Sequence, residues 1–228
     1  MIEEAKWDSN FFGYPVGIIK LKSVEEFDVQ NFYLESKRFK LVYVFCDLEI
    51  NNIKGLNLVD KKVVFSKKIS KPKNSEDIIE FDSSIHSYDN LLDLAYLSGI
   101  SSRFKIDTNF TNNEFLKMYK EWLDKSIEGQ LAIKLFIKII DSKIAGFITF
   151  KKNNADVTQI GLVAVDPNFQ GRNIGSELIE KCESASVELN FSEIEVATQY
   201  ENQPAKKLYL KNNFSFKNVT NIYHFWNL

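Results

Sequence analysis

The sequence predicts an α/β protein in two parts, a small N-terminal α/β domain over residues 1–80 and a larger domain over 81–228 with a mixed sheet and flanking helices. Three observations predict it. Strand-like runs rich in Val, Ile and aromatics alternate with helical runs whose apolar residues recur at three- and four-residue spacing. A polar segment containing proline, Ser70-Lys-Pro-Lys-Asn-Ser-Glu76, separates two differently patterned halves. Late in the chain, Val163-Ala-Val-Asp-Pro-Asn-Phe-Gln-Gly-Arg-Asn-Ile-Gly-Ser176 reads as a strand, a tight Pro/Gly turn and the opening of a helix.

In the first half, Pro15–Leu21 is a strand, and Ser23 with Glu26 forms a capping box for a helix reaching about Lys37. Lys40–Leu48 and Lys62–Ile69 follow as further strands. The second half opens with a helix over Asn90–Ser98 stopped by Gly99. Thr111 and Glu114 form another capping box, after which Phe115, Tyr119, Trp122, Leu123 and Ile127 line one helix face up to Gly129. Ala132–Ile140 and Ile144–Lys151 make a hairpin about Asp141-Ser-Lys143. A strand ending at Val165 leads into a helix with Ile174, Leu178, Cys182, Ala185 and Leu189 on one face. Strand Ile194–Thr198, helix Gln203–Lys211 and strand Ile222–Trp226 complete the order.

Composition narrows the function classes. Twenty-nine basic and 31 acidic residues in a chain of 228 lack the basic surplus of a nucleic-acid binder. No apolar run approaches the ~18 residues of a membrane span, and the charged start Met1-Ile-Glu-Glu-Ala-Lys6 lacks a signal peptide's apolar stretch. A cytoplasmic location is expected. Cys46 and Cys182 read as small core residues, and two histidines, His86 and His224, are too few for a His-rich metal site, so no metal is expected. The oligomeric state is open, a homodimer included.

The Val163–Ser176 turn presents backbone N–H groups at a helix N-terminus, where the helix dipole also favours an anion, so a pyrophosphate fits. It is not a Walker loop, since no Lys precedes Ser176, nor a dinucleotide fingerprint, which needs three glycines early in the chain. Gln170-Gly-Arg-Asn-Ile-Gly175 resembles the acyl-CoA loop of the GNAT superfamily of N-acetyltransferases, Q/R-x-x-G-x-G/A. Asn173 stands where that pattern has its first glycine, and Asn is the residue after Gly that best tolerates a left-handed backbone.

The resemblance implies a GNAT fold over about residues 85–228, with a splayed central sheet, and acetyl-CoA as co-substrate. It places CoA on the N–H groups of Val163 and Val165 and on the loop Gln170, Gly171, Arg172, Asn173, Ile174, Gly175 and Ser176. The stretch Asn202-Gln-Pro-Ala-Lys-Lys-Leu-Tyr209 matches the family's N-x-x-A-x-x-L-Y. This assigns Asn202 and Ala205 to the CoA arm and Tyr209 as the general acid that protonates the departing thiolate. No general base stands out: His86, His224 and Glu195 are unassigned, and Glu114 already has a capping role.

Ser102-Arg-Phe-Lys105, with Tyr119 and Trp122 on the next helix, forms a polar–aromatic cluster. Together with Trp7-Asp-Ser-Asn-Phe-Phe-Gly13 and Val196-Ala-Thr-Gln199, it is similar to the TDP-fucosamine acetyltransferases. That similarity implies a nucleotide-linked amino sugar as acceptor, a TDP-4-amino-4,6-dideoxyhexose, met by Ser102, Arg103, Phe104 and Tyr119. Core packing of Phe104, Tyr119 and Trp122, and of Trp7, Phe11 and Phe12, accounts for the same residues without a ligand. Acetylation of another amine (an amino acid, polyamine, antibiotic or protein N-terminus) and a non-catalytic acyl-CoA-binding module are the alternative functions.

Overall fold

A computed structural model describes residues 1–71 and 77–227. Of the expected linker 70–76, residues 72–76 lie outside the described residues. The chain runs β1 (Glu3–Glu4), α1 (Lys6–Phe12), β2 (Val16–Leu21), α2 (Val29–Ser36), β3 (Leu41–Cys46), β4 (Leu56–Lys68), β5 (Ile78–Glu80), α3 (Tyr88–Ser98) and α4 (Arg103–Ile106). It continues with α5 (Glu114–Ile127), β6 (Lys134–Ile140), β7 (Lys143–Lys152), β8 (Val157–Val165), α6 (Ile174–Glu188), β9 (Glu193–Gln199), α7 (Gln203–Lys211) and β10 (Ser215–Trp226).

Two compact units result. The first holds Met1–Val63, Gln199–Glu201 and the chain from Asn218 onward; the second holds Val64–Thr198 and Asn202–Lys217. These are not the contiguous stretches 1–80 and 81–228. The reason is β10, whose Asn221–Trp226 pairs antiparallel with Cys46–Leu41 of β3 and so returns to the first unit. There Tyr223 and Phe225 join Phe32, Phe39, Val42 and Val44 in one buried cluster. On the other edge of β3, β2 pairs in parallel and β1 then adds to β2. Helix α1, which the pattern had not marked, stacks Trp7 on Phe11 with centroids 5.2 Å apart and ends at a left-handed Gly13.

In the second unit β5, β6, β7 and β8 are antiparallel, and β9 joins β8 in parallel. The β6–β7 turn has Asp141 and Ser142 both at positive φ (50° and 62°), the type I′ geometry that matches the twist of a two-residue hairpin. Alternation along β6 divides the faces. Leu135 and Ile137 pack with Leu91, Leu94 and Ala95 of α3 and Leu123 of α5, whereas Lys138 reaches Glu177 of α6 and Phe136 lies under Lys181 of α6. The sheet is therefore covered by α3 and α5 on one side and α6 on the other. Among the described residues no helix is long and apolar enough to cross a membrane, and Cys46 and Cys182 are free and buried.

Both expected capping boxes give way to other caps. Ser23 precedes only a 3₁₀ turn, Val24–Glu26, and α2 is capped by Asp28, whose carboxylate accepts from the Asn31 N–H at 3.0 Å. Helix α5 begins after Asn113, not Thr111. Asn113 is left-handed (φ 60°), and this turn brings the Glu114 carboxylate to the Asn112 N–H at 2.6 Å. Gly99 does end α3, for a packing reason rather than a left-handed one. A Cβ there would stand 2.1 Å from Cζ of Tyr119. We expect Gly99→Ala to force the Tyr119 ring aside and cost about 1–3 kcal/mol. Urea unfolding would show a lowered midpoint at unchanged slope, and an unshifted midpoint would mean that the ring yields freely.

Candidate functional site

The edge of β8 is where the sheet stops being regular. Pairing of β8 with β9 runs from Val157↔Glu193 to Ile160↔Val196 and goes no further, although β8 continues to Val165 and β9 to Gln199. On its other edge β8 carries a bulge, because Gly161 and Leu162 together face Thr149 between the pairs Ile160↔Phe150 and Val163↔Ile148. The buried Thr149 hydroxyl accepts from the Leu162 N–H at 2.8 Å. Further along, the Asp166 N–H donates to the Ala145 carbonyl at 2.9 Å. Leu162 and Asp166 thus both point their N–H groups at β7. Strand alternation directs the N–H groups of Val163 and Val165 to the opposite edge, the one β9 has left. A strand edge of this kind offers main-chain donors to an extended ligand.

Next comes the turn. Asp166 accepts from the Asn168 N–H at 2.8 Å, Pro167–Phe169 form one 3₁₀ turn, and Gln170 Nε2 donates to the Val165 carbonyl at 3.1 Å. Gly171 and Asn173 both adopt positive φ, 79° and 65°. Asn173 therefore takes the left-handed conformation for which the family pattern uses glycine. Its carbonyl receives the N–H groups of Ser176 and Glu177. Gln170 to Asn173 are exposed, and Ile174, Gly175 and Ser176 are buried at the start of α6.

The first turn of α6 is pressed against α7. A Cβ on Gly175 would lie 3.1 Å from both methyl carbons of Leu208. Asn212 Nδ2, just past α7, donates to the Ser176 hydroxyl at 3.0 Å. Lys211 Nζ donates to Asn173 Oδ1 at 2.8 Å. At the other end of α7, Asn202 caps the helix by accepting from the Ala205 N–H at 3.2 Å, with Pro204 in the first turn.

Tyr209 is buried on α7 between Phe65 and Phe214, each ring centroid 6.0 Å away. Burial pushes its phenol well above the ordinary tyrosine range, so the hydroxyl keeps its proton. Glu195 is committed elsewhere, to Lys217 and to the Asn153 amide, and His86 Nδ1 accepts from the Asp82 N–H at 2.8 Å. His224 is fully buried in the first unit, its ring 4.9 Å from that of Tyr43.

The α3–α4–α5 corner is an aromatic assembly. Phe104 meets Phe110 and Trp122 with centroids 5.6 and 5.9 Å apart, and Tyr119 meets Trp122 and Phe115 at 5.0 and 4.9 Å. Ser102, Phe104 and Tyr119 are buried, while Arg103 is half-buried with its guanidinium 4.7 Å from the centre of the Phe104 ring. The structure thus brings the four predicted acceptor residues into one corner, where the rings form its walls.

Residues 100–214, half of the chain, match the acetyltransferase (GNAT) family. The chain belongs to this family. It is an acetyl-CoA-dependent N-acetyltransferase. Among curated proteins it is 22% identical over 214 residues to a dTDP-fucosamine acetyltransferase of Escherichia coli O6:H1, covering 92% of this chain and 91% of that one. It is also 23% identical over 136 residues to the spore coat polysaccharide biosynthesis protein SpsD of Bacillus subtilis, covering 60% of this chain and 46% of that protein. A conserved protein of unknown function from Staphylococcus epidermidis shares the fold at a TM-score of 0.67 and 12% identity, over 94% of this chain and 85% of that one. So does the N-myristoyltransferase of Saccharomyces cerevisiae, solved with bound myristoyl-CoA, at 0.54 and 13%, over 93% and 60%.

Thr149, Lys211 and Asn212 escaped the sequence reading. Thr149 sits in an ordinary strand pattern, and only the register reveals that its hydroxyl stands in for a backbone acceptor. Lys211 and Asn212 come just after Tyr209 and Leu210, yet their partners at the start of α6, Asn173 and Ser176, are more than thirty residues away. We expect Thr149→Val to strand the Leu162 N–H and lower stability by about 1–3 kcal/mol. Thr149→Ser, which keeps the hydroxyl, should stay close to wild type in the same melt; equal losses in both would remove the hydrogen bond as the cause.

Proposed function

We propose that this acetyltransferase moves the acetyl group of acetyl-CoA onto the amino group of a nucleotide-linked amino sugar, a TDP-4-amino-4,6-dideoxyhexose. The observation that carries this reading is the end-to-end similarity to a dTDP-fucosamine acetyltransferase. The S-R-F…Y cluster, a basic group among aromatic rings, supports it. Arg103 pairs with the acceptor's pyrophosphate, and Ser102, Phe104 and Tyr119 shape the pocket around the base or sugar. The bound myristoyl-CoA of the yeast neighbour supports an acyl-CoA in the fold.

In this reading the CoA pyrophosphate rests on the N–H groups of Gly171 to Gly175, with Gln170 and Arg172 flanking it and Ser176 closing the turn. The pantetheine arm runs along the β8 edge as an added strand would, meeting Val163 and Val165, while Asn202 and Ala205 border it from α7. The neutral amine attacks the thioester carbon, a C–N bond forms and the C–S bond breaks. A main-chain donor at Val163–Val165 stabilises the oxyanion in between. The nitrogen sheds one proton to solvent water. The departing sulfur receives its hydrogen bond and then its proton from Tyr209, and the Tyr209 oxygen regains a proton from solvent as the products leave. A phenol held above its ordinary pKa of about 10 is fully protonated at neutral pH, so it acts first as a hydrogen-bond donor to the growing thiolate. Loss of the Tyr209 proton therefore sets no alkaline limb of the rate profile below that pH.

Tyr209→Phe should lower kcat by about a hundredfold or more and leave the dissociation constant of acetyl-CoA nearly unchanged; wild-type turnover in this variant would remove Tyr209 from the mechanism. The acceptor is tested by thiol release from acetyl-CoA with TDP-4-amino-4,6-dideoxygalactose and its glucose epimer beside a panel of small amines. Release that depends on the sugar nucleotide is expected. Release with small amines alone would assign a different acceptor, and acetyl-CoA binding without release from any amine would mark a binding module.

A further inference from the structure

The Asn173–Lys211 hydrogen bond puts a cation where local stability does not call for one. Lys211 is the last residue of α7, where a lysine suits that helix's dipole. Its ammonium, however, reaches across to Asn173, the residue that opens α6, a helix of fifteen residues. There the helix dipole is positive, and the N–H groups of Ile174 and Gly175, ahead of the Ser176 N–H that the Asn173 carbonyl receives, have no acceptor within the helix. Among the described residues no carboxylate pairs with Lys211, whose polar partner is the neutral amide of Asn173. Arg172, one residue earlier in the loop, lies over the Phe169 ring at 5.4 Å. A second positive charge beside a positive helix end repels it, unless an anion is seated between them.

We propose that Lys211 is a binding residue for the CoA pyrophosphate, and that Asn173 is its positioning residue. Asn173 has two functions in this arrangement. Its left-handed backbone replaces the glycine of the family pattern, and its side chain, which glycine lacks, holds the ammonium at the mouth of the loop. The main-chain N–H groups bind the pyrophosphate in any case; Lys211 adds a long-range attraction and a charge-assisted hydrogen bond. The inference rests on the proposed seat of acetyl-CoA on this loop.

Calorimetric titration of acetyl-CoA into the full chain tests it without any acceptor. Lys211→Gln should weaken binding about three- to tenfold at about 50 mM salt, as expected of an exposed charged contact, and the gap should close at about 500 mM, where screening is short-ranged. Asn173→Gly, which keeps the positive φ free of strain, should weaken binding in the same direction. Adding Lys211→Gln to it should then cost less than in the wild type. With 3′-dephospho-acetyl-CoA the Lys211→Gln loss should persist, since the pyrophosphate is still present. Loss that vanishes with this analogue would assign Lys211 to the 3′-phosphate and overturn the proposal. So would unchanged affinity, or a loss insensitive to salt and matched by a lower melting temperature, which would mark a structural role. Wild type that binds no acetyl-CoA would overturn the seat of the cofactor together with this inference.

Discussion

Everything at this site follows from β9 leaving β8 after Ile160 and Val196. Backbone N–H groups without partners are costly in a folded sheet, and a strand pair rarely gives them up. Here the loss is contained from the other edge. Thr149 lends its hydroxyl to Leu162, β8 bulges against β7, and the strand keeps its hold on that neighbour as far as Asp166. The result is a strand anchored along one edge and open along the other. Its open donors, at Val163 and Val165, lie just before a turn that leads into a helix N-terminus. Donors on a strand edge and donors at a helix start, a few residues apart, suit a ligand with an extended arm and an anionic end.

The second constraint is the contact between the start of α6 and the end of α7. Gly175 lets Leu208 approach, and Asn212 joins the two helices through Ser176. Tyr209 lies between these contacts, so the rotamer of a buried phenol is fixed by the same packing that holds the loop. Phe65 and Phe214 exclude water from it, which keeps the proton on its oxygen. The loop at the start of α6 and the helix that carries Tyr209 are therefore held to each other by one helix–helix contact.

Much of the fold was legible in the sequence because its elements declare themselves locally. The limits of α7, the β6–β7 hairpin and the end of β8 at Val165 follow from proline, turn residues and periodicity. The capping boxes were misread because two Ser/Thr–Glu pairs at the right spacing lay beside stronger turns, at Asp28 and at the left-handed Asn113. Helix α1 was missed because its seven residues, four of them polar or charged, show no helical stripe. The return of β10 to β3 depends on an edge that exists only once both strands are placed.

The sequence by itself determined the family, the loop and the left-handed Asn173, because these depend on neighbouring residues and on what each side chain permits of its own backbone. Only the tertiary structure decided that β9 departs at Val196, that Thr149 meets the Leu162 N–H, and that Lys211 reaches Asn173. Each of these joins groups brought together by strand register or helix packing, and neither register nor packing leaves a mark in the spacing of residues along one chain.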